Sequence, residues 1–144
     1  MGAARARKSG KATNRIDIMA CKPGKKTVFY LMAGDPDAKT TALLIREIAA
    51  AGASLIEIGA PFSDPVADGP SIQRAAERAL KRGMTLEKTL RTVREARKFT
   101  DVPLVLMTYY NIILNRGPER FVDCLLYTSP SPRDRTRSRM PSSA

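Results

Sequence analysis

Histidine is absent from the chain, which removes Ser-His-Asp and Cys-His nucleophilic designs and most transition-metal sites and leaves carboxylates to do any proton transfer. Only two cysteines occur, Cys21 and Cys124, one near each end. They make neither a ligand cluster nor a disulfide framework, and this fits a reducing compartment, the cytoplasm. Long apolar runs are also missing: none approaches the roughly 20 residues of a membrane span. Aromatic residues amount to 6% of the chain and form no stacking pattern of the kind that binds single-stranded nucleic acid.

What is plentiful is positive charge, +11 over 144 residues, but it lies at the ends. Residues 1–26 carry eight Lys/Arg against one Asp, and residues 124–144 carry four Arg against one Asp. The middle, 27–123, holds thirteen basic and twelve acidic residues, so no basic face is demanded of the folded part and a nucleic-acid role is not expected. With 43% hydrophobic residues the chain can bury the core of one modest domain. Residues 1–13 are basic and small and lack the apolar stretch of a secretory signal.

The densest stretch is Leu55 to Pro70, LIEIGAPFSDPVADGP. Its first part is a short apolar run bounded by Gly and Pro, which predicts a strand. Alternation puts Leu55, Glu57 and Gly59 on one side and Ile56 and Ile58 on the other. A carboxylate between two isoleucines costs free energy unless it is paired, hydrated or functional. Desolvation raises a carboxyl pKa, and a pKa near working pH is what a general acid/base needs. A Glu bonded to a neighbouring backbone or an Arg satisfies the same pattern. Asp68 lies eleven residues on, in a loop that a parallel-sheet protein builds beyond the carboxyl end of the strand, where such folds place their sites. Asp64 and Asp68 also fit plain turn or capping duty.

Around this stretch the elements follow in order. VFYLMA, Val28 to Ala33, predicts a buried strand; Asp35 is the expected cap, with Pro36 opening a helix over Ala38 to Ala51. The unit strand–helix–strand with short connections predicts a parallel sheet and a right-handed crossover. SIQRAAERALKR predicts a second helix ending at Gly83. Thr85 caps a third running to about Phe99, and Val102 to Met107 predicts the third strand. Tyr109 and Asn111 come at its carboxyl end, and a further helix begins at Gly117.

LIEIG followed by PFSDPVADGP, preceded by YLMAGDPD and followed by SIQRAAERAL, GMTLEKTL and VPLVLMTYYNIILNRG, resembles the tryptophan synthase alpha chain over residues 14–123. The resemblance implies an α/β fold comprising the first three strand–helix units of a TIM (β/α)₈ barrel, truncated. It implies retro-aldol cleavage of indole-3-glycerol phosphate to indole and glyceraldehyde 3-phosphate. In this reading Glu57 is the catalytic acid/base, Asp68 holds the indole N–H, and Tyr30 and Tyr109 form the pocket wall. Met32, Ala33, Thr108 and Tyr110 match pocket or rim positions less closely. Asp64 and Pro65 on the loop, and Asn111, face the beta chain, which holds pyridoxal phosphate. The chain itself needs no cofactor and no metal. On its own it is expected to be inactive; the alternative is a barrel fragment that docks on the beta chain without chemistry.

Three regions follow. Residues 1–26 are expected to be a largely disordered basic segment, helical at most over 14–20, and 27–123 the partial barrel. From Cys124 to Asp134 the text resembles the translation of a sequencing-library adaptor, and Ser138 to Ala144 a translated flow-cell primer. Residues 124–144 are therefore expected to be non-native and without structure.

Overall fold

The computed structural model describes residues 14–128; the expectations for 1–13 and 129–144 lie outside the described residues. A short helix α1, Arg15–Cys21, leads into strand β1, Val28–Met32, and helix α2, Ala38–Ala50. Strand β2, Leu55–Gly59, is followed by two helices, α3, Pro70–Lys81, and α4, Leu86–Ala96. Strand β3, Leu104–Met107, is followed by α5, Tyr110–Arg116, and α6, Pro118–Thr128. The strands form one parallel sheet in the order β1-β2-β3. This is the strand–helix alternation expected from the short Gly- and Pro-bounded apolar runs.

Register decides which side chains share a face. Tyr30 pairs with Glu57 and Met32 with Gly59, while Glu57 pairs with Val105 and Gly59 with Met107. These six lie on one face. The opposite face carries Ile56 and Ile58, 0% and 1% exposed, packed in a core with Ile45 of α2, Ala76 and Ala79 of α3 and Val93 and Ala96 of α4. Burying an isoleucine of this kind stabilises by about 1.5–3 kcal/mol, so the helices are held to this one side.

Two expectations are corrected. The cap of α2 is Asp37, not Asp35: its carboxylate accepts from the Thr40 N–H and the Thr40 hydroxyl, both at 2.8 Å. Thr40 supplies two donors three residues on, which Asp35 lacks. Asp35 is taken instead by Arg78 of α3, a two-pronged pair at 2.8 and 2.6 Å. Second, the chain does not lose structure at Cys124. Helix α6 continues to Thr128, with Phe121 buried and Leu125 lining a small cavity beside Ile58, Leu90 and Val93. Apolar residues four apart fall on one helical face, and here that face meets α4.

The two ends of the sheet differ. At the amino ends of the strands α1 borders a cavity of about 750 Å³, together with Lys25, Lys26, Ser54 and Pro103. Arg15 reaches Asp101 at 3.0 Å, and Arg97 donates to the carbonyls of Val102 and Thr100 at 2.5 and 3.3 Å. Burial brings the Arg97 pKa down to about 10, with the charge of Arg15 adding to it. The carboxyl ends carry the loops that hold the candidate residues.

Candidate active site

Tyr30, Asp68 and Tyr109, widely separated in sequence, line one cavity of about 210 Å³ at the carboxyl ends of the strands, with Phe62, Met107 and Thr108. Each arrives by its own element. Tyr30 stands on β1, Asp68 on the loop after β2, and Tyr109 at the start of α5. Glu57 is outside this lining but adjoins it, since it is the cross-strand partner of Tyr30 and shares a face with Gly59 two residues on.

The Tyr30 ring leans from its place opposite Glu57 towards the end of β2, so that its hydroxyl lies over Gly59. A Cβ built on Gly59 would stand 2.1 Å from that hydroxyl oxygen and 2.8 Å from Cζ, so glycine is what leaves room for the ring. The Tyr30 pKa is pushed up to about 12, first by burial and then by the charges of Asp68 and Glu57 and by Tyr109. The phenol is therefore protonated, and a hydrogen-bond donor, throughout the physiological range.

Glu57 is half-buried. Ile56 and Ile58 point away from it into the helix layer, so the enclosure expected from its sequence neighbours is not realised. Its carboxylate makes no hydrogen bond or ion pair with a described residue, which removes the reading of Glu57 as a structurally paired acid among those residues. The Tyr30 hydroxyl likewise has no hydrogen-bond partner among them.

The loop from Pro61 to Asp68 is fastened at four points. Tyr109 stacks on Phe62 with ring centroids 4.9 Å apart, and its hydroxyl accepts from the Ala67 N–H at 3.2 Å. Gln73 of α3 donates its amide to the carbonyls of Asp68 and Pro65 at 2.8 and 3.2 Å. Tyr109 thus supports the loop as well as lining the cavity. Gln73 and Phe62 were not singled out from the sequence; a Gln in the first turn of a helix directly after a Pro-rich loop was the available signal, because such an amide can reach back to loop carbonyls.

The remaining candidates spread along the rim. Asp64 is exposed and accepts from the Ser63 hydroxyl at 2.6 Å, Pro65 is half-buried, and Asn111 is exposed on α5. Met32 lines the cavity and Ala33 is fully buried, while Tyr110 is 66% exposed. The Thr108 hydroxyl is buried with no hydrogen-bond partner among the described residues. No group of three His, Cys, Asp or Glu that could hold a metal occurs among the described residues. No helix there is long and apolar enough to cross a membrane.

Two unpaired or charge-coupled carboxylates either side of a protonated phenol, at the carboxyl ends of parallel strands, form a site suited to moving a proton on an aromatic ligand. Comparison with known proteins identifies the family. Residues 19–128 match the family described as tryptophan synthase alpha chain. The chain is similar to the tryptophan synthase alpha chain of Geotalea daltonii, 50% identical over 113 residues, covering 78% of this chain and 43% of the relative. It is also similar to that of Caulobacter sp. strain K31, 58% identical over 95 residues, covering 65% and 34%. The chain thus spans less than half the length of these relatives. The crystal structure of the alpha subunit from Legionella pneumophila superposes with a TM-score of 0.76 at 37% identity, covering 81% of this chain and 47% of that one. A structure of the a2b2 tryptophan synthase complex of Pyrococcus furiosus does so with a TM-score of 0.67 at 41% identity, covering 72% and 44%. The three strands and their helices are accordingly part of a (β/α)₈ barrel, and the chain belongs to the tryptophan synthase alpha chain family.

Proposed function

We propose that the complete polypeptide cleaves indole-3-glycerol phosphate to indole and glyceraldehyde 3-phosphate, with Glu57 as acid/base. The observation that supports this most is the unpaired Glu57 carboxylate on the same sheet face as the aromatic cavity bearing Asp68. Protonated Glu57 gives its proton to carbon 3 of the indole, and the ring nitrogen becomes cationic. Asp68 accepts a hydrogen bond from that N–H, and its negative charge offsets the positive charge that develops there. The Glu57 carboxylate then takes the proton of the hydroxyl on the first side-chain carbon. The C–C bond to the ring breaks, the aldehyde forms, and the electron pair returns to the ring and neutralises the nitrogen. Glu57 ends protonated, as it began.

Tyr30 and Tyr109 hold the faces of the indole, and the reaction calls on no cofactor or metal of this chain. The rim formed by Asp64, Pro65 and Asn111 is the surface for a beta chain, consistent with the a2b2 assembly of the Pyrococcus relative. The protein acts in the cytoplasm. The cleavage belongs to the complete polypeptide because barrels of this type usually bind substrate phosphate with loops after strands seven and eight. A role confined to docking on the beta chain predicts the same complex without chemistry.

The test is turnover of indole-3-glycerol phosphate by the complete polypeptide with and without Glu57→Gln. General acid/base catalysis supplies about 10²- to 10⁴-fold, and turnover is expected to fall by that range while beta-chain binding survives. Near-normal turnover in Glu57→Gln would overturn the assignment.

A further inference from the structure

The mechanism above draws on two polar groups, the Glu57 and Asp68 carboxylates, and leaves the Tyr30 hydroxyl unused. It sits over Gly59, on the sheet face that carries Glu57, and Tyr30 lines the cavity together with Asp68. Space for it exists only because residue 59 has no side chain. A hydroxyl placed so closely against backbone, in a half-buried ring with no partner among the described residues, gains nothing from its position that a phenyl ring would not. Its donor is unspent. The two charged neighbours are acceptors, so a ligand oxygen lying between them is the partner that a neutral donor can serve.

We propose that Tyr30 is a specificity-determining residue whose hydroxyl donates a hydrogen bond to an oxygen on the first side-chain carbon of a 3-substituted indole. The ligand class is therefore an indole bearing a hydroxyl at that carbon, in preference to one bearing a plain alkyl group. This rests on the reading that the indole ring lies in the cavity beside Asp68. The oxygen concerned is the one from which Glu57 takes a proton. A donor aimed at it meets the negative charge that gathers there as the proton leaves, and so favours the reacting form over the resting one. The raised pKa keeps the proton on Tyr30 while Glu57 cycles.

Affinity for a non-reacting indole reads this contact without turnover. The experiment measures affinities of the complete polypeptide for 3-(hydroxymethyl)indole and 3-methylindole at neutral pH by ligand-observed NMR, in the wild type, Tyr30→Phe, Asp68→Asn and Thr108→Val. The hydroxyl-bearing compound is expected to bind about fivefold more tightly to the wild type, the scale of one net hydrogen bond. In Tyr30→Phe the ratio falls to about one. Thr108→Val, which removes the aliphatic hydroxyl of the cavity lining, leaves the ratio as it is. A ratio that survives Tyr30→Phe overturns the proposal, as does a ratio lost equally in Thr108→Val. Asp68→Asn separates the two levels: if it weakens both compounds while Tyr30→Phe changes nothing, the inference on Tyr30 fails and the indole reading stands. If Asp68→Asn changes neither affinity, or neither compound binds, the indole reading fails and the inference with it.

Discussion

The two ends of the sheet show that cavity size is a poor guide to where chemistry lies. At the amino ends a space of about 750 Å³ is bordered by long basic side chains, and several of the polar groups around it are already engaged: Arg15 with Asp101, Ser54 with the Thr27 N–H, Lys26 with the carbonyls of Lys22 and Pro23 just after α1. At the carboxyl ends a cavity of about 210 Å³ is walled by rings, and the Tyr30 hydroxyl and Glu57 carboxylate beside it have no partner among the described residues. Paired groups have spent their hydrogen-bonding capacity on the fold. Unpaired ones at the end of a rigid strand retain it for a ligand.

Substitutions at the two ends put this contrast to the test, beginning with the largest effect. Gly59→Ala sets a methyl against the Tyr30 ring and forces it aside. Overpacking of this kind costs about 1–3 kcal/mol, read as a shift in denaturant midpoint, and 3-(hydroxymethyl)indole affinity is expected to fall at least tenfold, roughly the scale of 1.4 kcal/mol. Unchanged binding in a folded Gly59→Ala chain would show that the ring position is immaterial.

Gln73→Met keeps the length of the side chain and removes the donor shared by the Asp68 and Pro65 carbonyls. Loss of about 1 kcal/mol is expected, with faster amide exchange confined to residues 62–69. Exchange that quickens evenly across the molecule would instead mark Gln73 as a general stabiliser.

Asp35→Asn addresses acid stability. The Arg78 guanidinium holds the Asp35 carboxyl below the ordinary carboxylate range, by its hydrogen bonds first, while slight burial works against it. A lowered folded-state pKa contributes stability above the unfolded value, about 3.9, and that contribution is lost as pH falls through the folded value. The variant is expected to show a shallower stability loss below about pH 4 than the wild type, measured by urea unfolding across pH. A parallel curve would mean that the pair is not coupled to folding.

The smallest effect belongs to the amino end. Lys26→Gln is expected to change stability by no more than about 0.5 kcal/mol and ligand affinity not at all. If it altered 3-(hydroxymethyl)indole binding as strongly as Tyr30→Phe, the distinction between the ends would collapse.

How much of this was legible beforehand depended on the range of the interaction. Strands β1 and β2 and helices α2, α3 and α4 are written in local periodicity, and the period of two put Glu57 and Ile58 on opposite faces before any coordinates. Asp35 and Asp37 were confused because both are good caps in isolation. What separates them is Thr40 nearby and Arg78 far along the chain. Helix α5 was hidden by its composition: YNIILNR is short, rich in β-branched residues and has no side-chain cap, and it is held in part by the Arg116 ion pair with Glu87 of α4. The end of α6 is obscured in sequence because the resemblance to a foreign tail begins at Cys124, inside the helix, whereas the four-residue spacing of Phe121 and Leu125 carries it on. Within the site the carboxylates could be picked out in sequence, whereas the clamps Phe62 and Gln73 exist only as tertiary contacts.

The close fit of Tyr30 over Gly59 also bears on how these positions change over evolutionary time. Position 59 cannot vary alone: a side chain there collides with the hydroxyl and Cζ of the ring at 30, at 2.1 and 2.8 Å from its first carbon, and crowds Cε2 at 3.2 Å. The two sites should therefore covary as a pair, with glycine at 59 wherever 30 is aromatic and packed as here, and a larger residue at 59 tolerated only after 30 has become small. In mutational terms the order is fixed, since the step at 30 has to come first.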